Sequence, residues 1–367
     1  MIGRLSEILA VLEPLGARQV HPRTVGDRPP DPRVAGIALH SGRVCEGDIF
    51  VAIPGAKQDG ATFAGEAVRR GAAAAVVRRP IPDLPIPQLV VPDPRAAAAE
   101  AAAAWFGHPS KRLLCVGVTG TNGKTTTTYF LRAILEAAGR RVGLLGTVAY
   151  DLLARSLPAP NTTPDAVALQ GHLRELLDAG ADACVMEVSS HALDQSRVRG
   201  IAYDAAVFTN LTPEHLDYHA DLDAYREAKA RLFDGLAPGA VASLCAEDSS
   251  ARRMGERTRA SVLRYGFSPE AQVRAEGIEP GLDGIRFRLL ARGRSAPIAL
   301  AIPGLHNVLN ALGASAAALG LGVPVETIAQ GLAAVGGVPG RLERVDAGSP
   351  FRVYVDYAHT DASLEAV

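Results

Sequence analysis

The stretch Val116-Gly117-Val118-Thr119-Gly120-Thr121-Asn122-Gly123-Lys124-Thr125-Thr126 narrows the possible folds more than any other in this chain of 367 residues. An apolar run leads into it and a helix-period pattern over 125–138 follows it, so its glycines lie in a strand-to-helix turn. In that setting glycines let backbone N–H groups fold inward around phosphate oxygens, and the helix N-terminus adds partial positive charge. Lys124 is then spaced to reach the β- and γ-phosphates of a nucleotide, and the Thr125 hydroxyl to ligate Mg²⁺. The general motif has glycine five residues before Gly123; this chain has Val118 there, and Gly120 supplies a second tight turn.

The surrounding pattern agrees with an α/β fold. Short apolar runs at 113–118, 141–145, 183–188, 205–209 and 241–244 alternate with helical patterns at 125–138, 164–179 and 222–233. Such alternation builds a mostly parallel sheet with helices on both faces. Residues 285–289 and 296–302 alternate apolar and polar and read as an antiparallel appendage; 307–321 reads as a helix and 353–355 as a late strand. Upstream, helices at 6–15, 61–70 and 96–106 and strands near 47–53, 73–77 and 88–91 form a second α/β unit, closed by the breaker cluster Gly107-His108-Pro109-Ser110. The expected division is 1–108, 109–346 for the phosphate-loop domain, and 347–367 for its last strand and an exit hinge.

Composition removes several classes of function. Lys+Arg 38 against Asp+Glu 39 leaves a net charge of −1, without the electrostatic footprint of a nucleic-acid binder or a polybasic membrane protein. The hydrophobic share of 48% is too high for disorder. Charged residues or glycine break the alanine-rich stretches well short of a membrane span, and Glu7 falls where a signal peptide needs an apolar run. The four cysteines (Cys45, Cys115, Cys184, Cys245) are far apart and read as thiols of a cytosolic protein, assigned to neither disulfide nor zinc.

Polar residues cluster where strands end. Glu187 closes the run 183–188, where phosphate-loop proteins carry a Mg²⁺-holding carboxylate; a solvent-facing strand-end acid is the plainer reading. Thr212-Pro213 reads as a helix cap and first position, which makes His215 a cap-region histidine, four residues before His219. Lys229, in Tyr225-Arg226-Glu227-Ala228-Lys229, reads as a solvated lysine on a helix surface. Asn161-Thr162-Thr163-Pro164 offers Thr163 as N-cap; Asn161 and Thr162 either decorate that cap or hold an anionic group. Arg197, after Gln195, is either a surface arginine or a partner for a carboxylate or phosphate. Asn307 and Asn310 are helical neighbours that either read an adenine edge or merely begin the helix, and Arg341 is a further phosphate-facing candidate.

Together these segments resemble the Mur ligase family over almost the whole chain. The resemblance rests on Gly120 to Thr126, Asn161-Thr162-Thr163, Glu187-Val188-Ser189-Ser190-His191, and Thr209-Asn210-Leu211 through Asp217-Tyr218-His219. It continues in Ala228-Lys229, His306-Asn307 and Asp356-Tyr357-Ala358-His359-Thr360. The Asn-Thr-Thr, Glu-Val-Ser-Ser-His and Leu-Asp-Tyr-His segments resemble the family's tripeptide-forming members more narrowly. The family carries Asp-Ser-Arg where this chain has His40-Ser41-Gly42, and proline where it has Asp361.

The resemblance implies an ATP-dependent amide ligase of peptidoglycan-precursor synthesis, cytoplasmic and monomeric. It implies that Gly120, Thr121, Asn122, Gly123, Lys124, Thr125 and Thr126 bind ATP, with Asn307 facing adenine and Arg341 the phosphates. Two Mg²⁺ ions are implied, held by Thr125, Glu187, His215 and a carbamylated Lys229. Leu39, Ser41, Ala56, Lys57 and Gln58 would contact the uridine end of a UDP-N-acetylmuramoyl-dipeptide, in an N-terminal uridine-binding domain. Asn161, Thr162, Thr163, Ser189, Gln195 and Arg197 would hold the rest. The D-Glu carboxylate would be activated as an acyl phosphate and joined to a diamino acid, meso-diaminopimelate or, as runner-up, L-lysine. Another Mur or folylpolyglutamate-type ligase, or a nucleotide-binding module without ligase activity, are the alternatives. Family members carry a third, C-terminal domain, so this chain is expected to be a truncated form lacking it.

Overall fold

The apolar runs pair into sheets in a computed structural model that describes residues 3–20, 30–55, 58–345, 348, 351–359, 364 and 365. Contacts divide the chain into two units. The first comprises Met1–Pro109, Pro164–Arg174 and Asp194–Ile201; the second comprises Ser110–Thr163, Glu175–Leu193 and Ala202–Val367.

In the first unit, β1 (Arg18–Val20), β2 (Gly36–Ala38), β3 (Asp48–Val51), β4 (Ala74–Val77) and β5 (Gln88–Val90) form a sheet in the order β1-β5-β4-β3-β2, parallel except for β1. Helices α1 (Leu5–Leu12) and α3 (Pro94–Trp105) share one core with this sheet, where Leu5, Ile8 and Leu12 meet Ile49, Val76 and Leu89. The opposite face packs on α2 (Ala64–Arg69). Every alanine of α3 is buried, because small side chains let the helix lie close to the sheet.

The second unit follows the expected alternation. Its elements are β6 (Leu114–Thr119), α4 (Lys124–Ala137), β7 (Val142–Leu145), β8 (Ala149–Asp151), β9 (Ser156–Pro158), the end of α5 (Ala166–Asp178, counted with the first unit up to Arg174), β10 (Ala183–Glu187) and α6 (Ser190–Asp194, counted with the first unit at Asp194). There follow β11 (Ala205–Phe208), α7 (Leu222–Asp234), β12 (Val241–Cys245), α8 (Ala251–Arg257), β13 (Ser261–Gly266), β14 (Val273–Gly281), β15 (Gly284–Ala291) and β16 (Arg294–Leu300). α9 (Leu305–Gly320), α10 (Val325–Ala333), β17 (Glu343–Val345) and β18 (Val353–Val355) complete it. Eleven strands form one sheet in the order β16-β15-β14-β13-β12-β11-β6-β10-β7-β8-β9. It is parallel from β7 to β14 and antiparallel at both edges. The core gathers Phe130, Leu131, Ile134 and Leu135 of α4, at helical spacing, with the buried alanines of α9 and Ile328 and Leu332 of α10.

Three local expectations are corrected. α5 begins at Ala166, and its cap is Asp165, whose Oδ1 accepts from the N–H groups of Val167 and Ala168 at 3.0 Å each. Thr163 is spent elsewhere, as described below. No helix starts at Thr212-Pro213; α7 starts at Leu222, where Asp221 accepts from Ala224 N at 2.7 Å. The parallel run also extends past β12 into β13, which carries Arg264 and exposed positions and so lacks a continuous apolar signature. The expected late strand is β18, and it pairs antiparallel with β17 in a separate ribbon. The four cysteines are free thiols: Cys115, Cys184 and Cys245 are buried and Cys45 is exposed. No helix among the described residues is long and apolar enough to cross a membrane.

Candidate functional site

Strand β6 lies between β10 and β11, so the chain order reverses direction beside its carboxyl end. Crevices open at such switch points in parallel sheets. The loop from β6 to α4 turns there on Gly120 (φ +150°) and Gly123 (φ +85°). A Cβ on Gly123 would lie 2.2 Å from Asn310 Oδ1, and one on Gly120 would lie 1.8 Å from Thr209 Oγ1 and 3.1 Å from backbone atoms of Asn210. Asn210 holds the loop from the side: its Oδ1 accepts from Asn122 N (2.9 Å) and its carbonyl from Thr121 N (2.9 Å). Gly120→Ala is therefore expected to cost about 2–4 kcal/mol, through overpacking and an unfavourable φ. A urea midpoint equal to that of the parent would show the crowding to be absent.

Lys124 opens α4, half-buried, and its Nζ donates to the carbonyls of Gly120 (3.0 Å) and Thr121 (2.7 Å). Burial lowers its pKa, Arg341 adds to that, and Glu187 and Glu214 oppose it. Thr125 donates to Glu187 Oε1 (3.0 Å) and accepts from Arg341 Nη2 (3.1 Å). Glu187 is only 1% exposed. It also accepts from Thr147 N (2.8 Å) and, on Oε2, from the Thr147 hydroxyl (3.1 Å). Thr147 has one hydroxyl proton and gives it to Glu187, so the Thr162 hydroxyl, 3.1 Å away, is the donor between the two. Thr163 donates to Glu187 O (2.9 Å) and accepts from Ser189 N (3.1 Å), so it braces the strand end instead of capping α5. Glu187 thus faces hydroxyls inside the protein; the solvent-facing reading does not hold.

Lys229 is also not a surface lysine. It is 1% exposed, donates from Nζ to Gly120 O (2.7 Å) and sits 4.3 Å from the centre of the Tyr225 ring. Burial drives its pKa well below the usual lysine value; Lys124 adds to the shift and Glu214 opposes it. His215 adopts φ +56°, a left-handed conformation that a histidine holds when its surroundings impose it. Burial lowers its pKa as well, with Glu214 opposing. Glu214 lies between two histidines, 3.7 Å from His215 Nε2 and 3.7 Å from His359 Nε2. The rings of His191 and His215 meet edge-on at 4.8 Å.

Lys124, Thr125, Glu187, His215, Asn307 and Arg341 all line one cleft of about 450 Å³ in the second unit. Along it, Asn307 donates to Pro303 O (2.7 Å) and accepts from Asn310 Nδ2 (3.1 Å). The remaining expected residues stand as follows. Asn161 accepts on its carbonyl from the Tyr150 hydroxyl. Ser41 donates to Glu66 Oε2 (2.7 Å), and Gln58 accepts on its carbonyl from Gly55 N (3.0 Å). Leu39 packs at the margin of the first unit's core. Arg197 donates twice to Gln195 Oε1, at 3.1 and 2.7 Å. Ala56 and Lys57 lie outside the described residues.

The donor set suits the groups expected there. Thr125, Thr147 and Glu187 bring oxygen atoms together, as a hard divalent cation requires, and Mg²⁺ takes few protein ligands beside phosphate oxygens and water. The loop around Gly120 and Gly123 has no room for side chains, as a backbone cradle for phosphate requires. Sequence reasoning passed over Thr147 and gave no role to Asn210 or Glu214, although both lie in a segment that carries the family resemblance. The signal for Thr147 was there: a hydroxyl directly after a buried strand and Gly146, at the same sheet end as Lys124.

The profile of the "Mur ligase middle domain" matches residues 118–318, and that of the "Mur ligase family, catalytic domain" matches 33–106. The chain is 43% identical over 341 residues to the UDP-N-acetylmuramoyl-L-alanyl-D-glutamate–2,6-diaminopimelate ligase of Geobacillus thermodenitrificans, covering 91% of this chain and 70% of the relative. It is 43% identical over 349 residues to the enzyme of the same name from Solibacter usitatus, covering 94% and 71%. A solved structure of a ligase of that name superposes with a TM-score of 0.82 at 29% identity, covering 99% of this chain and 73% of the other.

Proposed function

The chain belongs to the Mur ligase family, and we propose that it is the ATP-dependent ligase that joins 2,6-diaminopimelate to UDP-N-acetylmuramoyl-L-alanyl-D-glutamate. The observation that carries this is the convergence of a phosphate-loop ammonium, Lys124, with Thr125, Glu187 and Arg341 on one cleft. A carboxylate and a triphosphate repel each other, and cationic groups in a water-poor cleft let them approach.

The D-Glu side-chain carboxylate attacks the γ-phosphorus of ATP; the acyl–O–P bond forms and ADP leaves. The diamino acid's amine then attacks the acyl carbon, loses a proton, and phosphate departs. Lys124 turns from its two carbonyls towards the phosphates, and Arg341 adds a second positive charge beside Thr125. Thr125, Glu187, His215 and the modified Lys229 would hold Mg²⁺, which would supply positive charge to offset that of the phosphates. Lys229 suits carbamylation because burial favours its neutral, nucleophilic amine: the N–C bond to CO₂ forms, one proton leaves, and the neutral amine becomes an anion. Thr121, Asn122 and Thr126 complete the phosphate cradle, with Asn307 towards the adenine end.

Leu39, Ser41, Ala56, Lys57 and Gln58 receive the uridine end within a domain spanning 1–108. Asn161, Thr162, Thr163, Ser189, Gln195 and Arg197 receive the muramoyl-dipeptide, and 109–346 binds ATP. The reaction belongs in the cytoplasm, where ATP is made available.

Given the UDP-dipeptide, ATP, Mg²⁺ and meso-diaminopimelate, the protein is expected to release one ADP per UDP-tripeptide formed, followed by coupled ADP assay and mass spectrometry. Product with L-lysine alone would reassign the amino acid. ADP release with a folate but not with the UDP-dipeptide would overturn the reading.

A further inference from the structure

β17 and β18 form a ribbon of three residues per strand, too short to be stable in water unless something else holds it. At its base is Arg341, the donor to Thr125 Oγ1 at 3.1 Å. The connection leading to Arg341 contains Gly336, Gly337 and Gly340, and a Cβ on any of them would meet nothing within 4 Å. That connection is anchored at the buried Val338, whose carbonyl accepts from Arg341 N (3.0 Å), and the guanidinium lies 5.0 Å from the centre of the Tyr357 ring, on the other strand's exit, so the direction of Arg341 depends on the ribbon as well. Leu342, the next residue, is at φ +42°, which a non-glycine residue keeps only when its neighbours over-determine it. The base of the ribbon supplies part of this: Leu342 N donates to Asp356 Oδ2 (2.7 Å) and Tyr357 N to Gly340 O (3.0 Å).

The rest comes from the turn of the β14–β15 hairpin. Arg344 and Tyr354 are cross-strand partners, and Arg352 lies two residues before Tyr354, so the three share a face of the ribbon. Arg344 Nη1 donates to Asp283 Oδ1 (3.0 Å), Arg352 Nη2 to Asp283 Oδ2 (2.8 Å), and Tyr354 Oη to Leu282 O (2.7 Å). One carboxylate therefore grips both strands, one oxygen to each. A cleft of about 480 Å³, lined by Ile302, Pro339, Leu342, Arg344 and Tyr354, opens beside the ribbon where close packing would otherwise secure it.

We infer that Asp283 is a positioning residue for the nucleotide site: by clasping the β17–β18 ribbon it holds Arg341 against Thr125. This rests on the reading of that cleft as the ATP site. Asp283 is 59% exposed, so water and salt screen its two ion pairs and the effect is modest.

The test is a double-mutant cycle read by titration with a fluorescent ATP analogue and Mg²⁺. Asp283→Asn is expected to weaken binding about three- to tenfold, and Asp283→Glu to weaken it less. In an Arg341→Ala background the same Asp283→Asn change is expected to alter affinity less than about twofold. Equal losses with and without Arg341, or no loss at all, would overturn the inference. Hydrogen exchange at the Leu342 amide reads the clasp without nucleotide: it should quicken in Asp283→Asn and likewise in Arg352→Gln, and unchanged exchange in both also overturns it. A parent protein that bound no nucleotide would refute the ATP reading of the cleft, while the exchange rates would still decide the clasp.

Discussion

Lys124→Ala is expected to reduce ADP formation by at least about 10³-fold, because it removes a charge aimed at the phosphates where negative charge is redistributed. In the structure Nζ is held by the carbonyls of Gly120 and Thr121, at the open end of the cradle. The variant should still fold. Gly120 O keeps a partner in Lys229 Nζ at 2.7 Å, and alanine is a good residue for the first turn of α4. Burial already disfavours the Lys124 charge, so removing it relieves a cost to the folded state. The expected result is a melting temperature equal to or above the parent's, with ligation lost. Near-parental ADP release by a folded Lys124→Ala protein would sink the assignment of this loop.

Lys229→Met is expected to separate stability from activity in the same direction. Unfolded, the amine keeps its proton up to about pH 10.5; folded, burial makes it release the proton at much lower pH. Between those two values the unfolded chain binds more protons, so the stability of the parent rises with pH through that window. Below the folded value both states carry the proton and the burial cost is present in full; above about 10.5 it vanishes. Methionine fills similar space without a charge, so in CO₂-free buffer the variant should exceed the parent in stability. That advantage should shrink as pH rises through the window. Ligation should fall on the order of 10²-fold or more, since the carbamate and the metal ion it helps hold are lost. Denaturant midpoints against pH, beside ADP release, read both effects. A variant less stable than the parent at every pH, or one with full ligation, would contradict the role given to Lys229.

Much of the fold was legible before any coordinates. The runs at 113–118, 183–188, 205–209 and 241–244 are short, mostly apolar and for the most part separated by helical patterns, and they pair as β6, β10, β11 and β12 in one parallel sheet. Turn chemistry misled at two places. Threonine before proline suits a helix start, yet Asp165 and Asp221 do the capping. A cap is chosen by which backbone N–H groups end up free, and that depends on where the chain leaves the sheet.

By itself, the order of residues determined that a strand, a glycine-rich turn and a helix follow one another, since backbone freedom at glycine and apolar periodicity are local properties. It also determined that an ammonium and a hydroxyl stand side by side at that helix start. Only the tertiary structure decided that Glu187 is enclosed by hydroxyls from Thr125 and Thr147, and that Lys229 is buried against Gly120. Those contacts join residues 40 to 109 positions apart in the chain. Burial and charge proximity depend on which strand lies next to which, and no spacing pattern records that.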